Sequence, residues 1–105
     1  MIDSRFDIKD FTIVKDEFIS FDLPVAVQCA DLCEDMFQAY LSNNNNWILD
    51  IGWYGETNNL EGEFIVFVII NHNWDNPLVK ISCKDLKVLE FFINTTIDFM
   101  RANSK

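Results

Sequence analysis

The chain has 105 residues, half of them hydrophobic and ten of them Phe, with 17 acids against 8 Lys and Arg and a formal net charge of -9. A length of that order predicts one compact domain over residues 1–105, burying roughly two thirds of its unfolded surface without a disulfide or metal staple. The aromatic content excludes a disordered chain, and the acidic balance argues against DNA or RNA as ligand and against an anionic membrane surface.

In chain order, the first ten residues are charged and lack an apolar core, which predicts no signal peptide. Two β-prone runs, residues 11–14 and 18–21, flank Lys15-Asp16-Glu17 and predict a small hairpin. Asp22 ahead of Leu23 and Pro24 reads as a helix entry. Residues 28–41 then follow a helical period, with Cys29, Leu32, Cys33, Met36 and Tyr40 on one side and Gln28, Asp31, Glu34, Asp35 and Gln38 on the other. Four consecutive Asn, 43–46, read as a helix stop and turn.

Residues 47–54 alternate, Trp47, Leu49, Ile51 and Trp53 against Ile48, Asp50, Gly52 and Tyr54, which predicts a strand with one better-buried face. Asn58, Asn59 and Gly62 mark a turn. Residues 63–70 are apolar on both faces and read as a central strand covered on both sides. The longest apolar run, 64–70, is too short to span a bilayer. A loop over 71–77 leads to a strand at 78–81. Ser82 and Asp85 then form a capping box that opens a helix from Cys83 to about Ala102. One stripe of this helix is Leu86, Leu89, Ile93, Ile97 and Met100. A second, nearly opposite, is Val88, Phe91, Phe92 and Phe99, so the helix is either buried on two sides or meets another molecule. The expected architecture is α+β: an antiparallel sheet of about four to five strands packed with two main helices, in the order β-α-β-β-β-α.

No catalytic constellation emerges. The only His, His72, lies in a loop sequence with no nucleophile motif nearby. Gly52, Gly55 and Gly62 form no phosphate-binding pattern. Glu61 and Glu63 mimic a divalent-metal pair only weakly, without a D-x-D-x-D-G loop. Cys29, Cys33 and Cys83 are odd in number and contain no C-x-x-C, so they read as buried thiols in a reducing cytosol. The expectation is a cytoplasmic protein that is not an enzyme, with no metal and no cofactor.

The informative feature is charge order. Between Lys15 and Lys80 there is no cation, yet that interval holds eleven of the 17 acids. A one-signed segment sets up a field that a basic partner would answer. On the expected first helix Asp31 neighbours Glu34 and Asp35 at i+3 and i+4, a repulsion of ~0.2–0.5 kcal/mol per pair that no Lys on the helix offsets. Trp53, Tyr54 and Trp74 lie near the acids Asp50, Glu56 and Asp75, and aromatic faces beside carboxylates suit capture of Arg or Lys. Trp53 alternates with Ile51 and is expected in the core. The candidate contact residues are therefore Asp31, Glu34, Asp35, Tyr54, Glu56, Glu61, Trp74 and Asp75.

The run Phe64-Ile65-Val66-Phe67-Val68-Ile69-Ile70 followed by Trp74-Asp75-Asn76-Pro77-Leu78, with the closing helix from Asp85 to Met100, resembles the bacterial immunity proteins of contact-dependent growth inhibition and related polymorphic toxin systems. The resemblance covers about the C-terminal half and carries no site residues over. It implies a cytoplasmic protein that binds and neutralises a cognate toxin domain, often a nuclease with a basic active site, as a monomer or a homodimer. A secretion-type chaperone or a nucleic-acid mimic are the other small acidic binding modules that fit the same composition.

Overall fold

The computed structural model describes residue 2 and residues 5–57 and 60–105. In chain order it contains β1 (Phe11–Asp16), a 3-10 helix (Val25–Asp31), β2 (Phe37–Leu41), β3 (Asn44–Tyr54), β4 (Glu63–Ile70), β5 (Val79–Cys83) and α1 (Leu86–Asn103). The strands form one antiparallel sheet whose spatial order is its chain order, β1-β2-β3-β4-β5. The architecture is α+β, one five-stranded antiparallel sheet with two helical elements, as the sequence predicts.

The longest ladder joins the two runs with the clearest β character. It extends from Trp47 opposite Ile70 to Tyr54 opposite Glu63. One face of the sheet carries Ala39, Leu49, Ile51, Trp53, Phe64, Val66 and Val68, all at most 2 % exposed, and it meets Leu89, Ile93, Ile97 and Met100 of α1. Phe6, Phe11, Phe18 and Ile19 complete this core. Phe18 stacks on Phe21 at 5.1 Å and Phe6 meets Phe21 edge-on at 5.2 Å. The expected hairpin of 11–14 with 18–21 does not form. β1 pairs with β2 instead, and residues 18–21 serve as an aromatic plug.

The expected helix over 28–41 is replaced. Residues 25–31 form the 3-10 helix, and Phe37–Leu41 is the extra strand β2. Phe37, Ala39 and Leu41 alternate with Gln38 and Tyr40, so the segment from Met36 onward satisfies a period of 2 as well as 3.6. The strand wins because β2 bridges β1 and β3, satisfying two rows of backbone groups, and sends Phe37, Ala39 and Leu41 into the core. It also dissolves the acidic i, i+3, i+4 cluster. The Asn run supplies the β2–β3 turn at residues 42–43 and then enters β3, rather than stopping a helix. Asn58 and Asn59 lie outside the described residues.

α1 begins three residues later than the capping box predicts. Ser82 stays in β5, opposite Ile65, and Asp85 is the cap, accepting from the Lys87 and Val88 amides at 2.7 and 3.1 Å. Near the other end, Arg101 forks onto both carboxylate oxygens of Asp10 at 2.9 and 2.6 Å and also donates to the Asp7 carbonyl. The first stripe of α1 is the buried one. In the second, Val88, Phe91 and Phe99 are exposed and Phe92 is half-buried.

Candidate acidic site on the open face of the sheet

The sheet face turned away from α1 carries Gln38 on β2, Ile48, Asp50, Gly52 and Tyr54 on β3, and Ile65, Phe67 and Ile69 on β4. Several of these are also buried, including Ile48, Asp50, Ile65 and Ile69. Leu49, Ile51 and Trp53 remain the better-buried face of β3, as its alternation predicts, but Ile48 and Asp50 opposite them are nearly as deep. The cysteines are not buried as expected. Cys33 is exposed, Cys29 and Cys83 are half-buried, and all three are free thiols.

Asp50 is the unusual group. The strand register sets it between Gln38 and Phe67, and only 3 % of it reaches solvent. The Gln38 amide Nε2 donates to its Oδ2 at 3.1 Å. Burial pushes its pKa from 3.8 up to about 6; the Gln38 bond opposes this, nearby Asp35 adds to it and Lys15 eases it.

Two residues along the same face is Gly52, and here the backbone explains the local shape. The Met36 amide donates to the Ile51 carbonyl at 3.2 Å, and the Trp53 amide donates to the Cys33 carbonyl at 2.8 Å. Glu34 and Asp35, between those bonds, bulge over the sheet. A Cβ at residue 52 would lie 1.8 Å from the Glu34 carbonyl oxygen, so only glycine permits the crossing. The bulge holds Glu34 and Asp35 exposed above a buried carboxylate.

Tyr54 completes the group. It is half-buried, with its ring edge-on to Phe67 at 5.6 Å. Its hydroxyl is pushed up to about 12 by burial first and then by the charges of Asp50, Glu34 and Asp35. Beside the cluster opens a cleft of about 380 Å³ lined by Val14, Lys15, Glu17, Asp35, Phe37 and Gln38, a size that admits one long side chain.

Of the eight residues singled out in the sequence, Glu34, Asp35 and Tyr54 thus share one neighbourhood, though on a bulge and a strand rather than a helix face. Asp31 ends the 3-10 helix and is exposed, one residue before the Leu32-Cys33 step onto the sheet. Glu56 and Glu61 sit in the β3–β4 connection that begins after Tyr54. There the Gly62 amide and the Trp53 indole both donate to the Glu56 carbonyl at 3.1 Å. Gly62 permits this fold-back, since a Cβ there would lie 2.5 Å from the Trp53 indole nitrogen. Trp53 itself is 2 % exposed and belongs to the core, as expected.

Trp74 and Asp75 are exposed, but they follow Ile70 at the other end of the sheet. Seven residue steps along β4 separate Ile70 from Glu63, the partner of Tyr54, a distance of about 23 Å. The structure does not bring them to Glu34, Asp35 and Tyr54. Asp50 and Gly52 were missed as site residues. The signal for Asp50 was an acid within an otherwise apolar β run, and for Gly52 a glycine inside a strand.

Two cations stand in the same cross-strand row as Asp50: Lys15 opposite Gln38, and Lys80 opposite Phe67 with its Nζ 6.0 Å from that ring's centre. Among the described residues, Asp31, Glu34, Asp35 and Asp75 take part in no ion pair. Lys15 lies 3.7 Å from Glu17. Arg5 is held by Asp22 and Glu90, and Arg101 by Asp10. Among the described residues no group of three or more His, Cys, Asp or Glu is arranged to hold a metal ion, and no helix is long and apolar enough to cross a membrane. His72 is exposed in the turn after β4. Compared with protein families, characterised proteins and solved structures, the chain shows no significant match to any of them.

Proposed function

We propose that this chain is an immunity protein, without enzymatic activity of its own. In this reading it binds a cognate bacterial toxin domain, a nuclease with a basic active site, through the acidic face around Glu34, Asp35, Asp50 and Tyr54. The observation that carries the reading is the bulge over Gly52. It fixes two carboxylates beside a buried third, with no described cation in an ion pair with Glu34 or Asp35. Crowded like charges raise the energy of the free protein, and a cation from outside lowers it.

A nuclease must hold phosphate, so its cleft is basic. An acidic inhibitor is steered to such a cleft, and association reaches roughly 10⁸–10⁹ M⁻¹s⁻¹ at low salt. An Arg or Lys from the toxin entering the cleft beside Asp35 would meet Asp35 and would compete with Lys15 for Glu17. Trp74 and Asp75, at the other end of the sheet, lie outside this contact surface.

The test is co-expression with a candidate cognate toxin, any nuclease domain that a neighbouring gene encodes, scored by bacterial growth. The wild-type chain restores growth. The triple reversal Asp31→Lys, Glu34→Lys, Asp35→Lys, at three exposed sites, remains folded by circular dichroism and fails to restore it. Growth inhibition that the wild-type chain leaves untouched, or full protection by the triple reversal, overturns the proposal.

A further inference from the structure

A second surface is unexplained by the acidic face. Along α1, Val88, Phe91 and Phe99 are 41, 65 and 36 % exposed, and Thr95 and Ala102 between and beyond them are exposed too. At 100° per residue these five positions form one continuous ridge. The two large rings are already steadied from behind: Phe91 by Phe92, with centroids 6.2 Å apart, and Phe99 by Trp47 at 6.4 Å. Less side-chain entropy is then lost when a partner covers them.

The spacing of the ridge reads the same in both directions. From Val88 the steps are 3, 4, 4 and 3 residues, symmetric about Thr95. A two-fold axis through Thr95 sets Phe91 against the partner's Phe99 and Val88 against the partner's Ala102, so every large ring faces another. Self-complementarity of this kind is what an isologous dimer requires.

Charge agrees with it. Lys87 and Asp98 flank the ridge on the same side of the helix, and neither is in an ion pair among the described residues. Antiparallel pairing brings like flanks together, so Lys87 approaches the flank that carries the partner's Asp98 and the negative end of the partner's helix.

We infer that the chain forms a symmetric homodimer in which α1 packs antiparallel on α1 of a second copy about Thr95. A strip along one helix of this length buries on the order of 400 Å² per copy, about half of a standard interface, which makes the dimer weak and concentration-dependent. Two copies of net charge -9 repel through the rest of their surfaces, so added salt strengthens the dimer. The acidic face lies across the sheet from α1, and its binding of a basic partner weakens with salt. The two readings therefore fail independently.

Sedimentation equilibrium from micromolar to millimolar protein, at 20 and 300 mM NaCl, provides the test. The expected result is an average mass that climbs from the monomer's 12.3 kDa toward twice that value, sooner at high salt. Phe91→Glu holds the chain at monomer mass with an unchanged circular dichroism spectrum. In a Cys33→Ser background, Thr95→Cys forms an interchain disulfide on mild oxidation, and Asn94→Cys, turned 100° away, does not. A chain that stays monomeric throughout, a dimer that survives Phe91→Glu, or equal crosslinking through residues 94 and 95 overturns the inference.

Discussion

Asn in place of Asp50 separates the charge of the buried carboxylate from its shape. Gln38 Nε2 donates to one carboxylate oxygen of Asp50 at 3.1 Å, and an Asn oxygen accepts the same bond. What the substitution removes is the expense of ionising a group that burial has moved from 3.8 to about 6. That difference corresponds to roughly 3 kcal/mol between the two protonation states, an upper figure to the extent that water reaches the site. The sign follows from the direction of the shift. A raised carboxyl pKa means the folded state holds its proton more tightly than the unfolded chain does. The associated stability is complete below pH 3.8 and is lost as pH climbs toward 6. Asp50→Asn should therefore match the wild type near pH 3.8, gain on it steadily up to about pH 6, and hold a constant lead of up to roughly 3 kcal/mol above that. Urea denaturation followed by tryptophan fluorescence at a series of pH values between 4 and 8 measures the difference. A lead that does not change with pH, or a variant less stable than wild type at pH 8, refutes the assignment of Asp50 as a desolvated acid.

The bulge and the terminal clamp make two further predictions. Gly52→Ala drives a methyl into the Glu34 carbonyl and breaks the hydrogen bonds on either side of it, so it should cost about 2–4 kcal/mol in urea denaturation; a variant as stable as wild type would show that Glu34 does not cross Gly52. Arg101→Gln removes the two-pronged contact with Asp10, whose carboxyl is held below its usual value chiefly by that hydrogen bond. Because both groups are partly solvated, the loss at pH 7 should be about 1 kcal/mol. A lowered carboxyl pKa adds stability above pH 3.8 that disappears as pH falls through the folded-state value, so thermal melts of the two proteins should converge in acid, and a pH-independent gap would contradict the contact.

The sequence made the sheet legible wherever one period dominated. Residues 64–70 are β-branched and aromatic without interruption, and β4 is that run with Glu63 added ahead of it. Leu89, Ile93, Ile97 and Met100 recur at helical spacing and form the buried stripe of α1. The failures lie where two periods fit the same residues. Met36 to Leu41 suits a helix and a strand equally, and only pairing on both sides decides it, which is long-range information. The acids were legible as a surplus but not as a place. Glu34 and Asp35 come to Tyr54 through a bulge set by Gly52, and no local pattern announces that two residues of one segment will cross a glycine on another. The depth of Asp50 was hidden for the same reason, since its cover arrives from Gln38, twelve residues earlier, and from the neighbouring strand β4.

The central claim is that clustered carboxylates on the open face meet cations of a protein partner, and stopped-flow association with the proposed cognate toxin domain tests it most directly. Measured at 20 and 200 mM NaCl for the wild type and for Glu34→Lys, Asp35→Lys, the rate constant should fall at least about tenfold with salt, and about tenfold or more with the double reversal at low salt. An association rate indifferent to both would contradict the account.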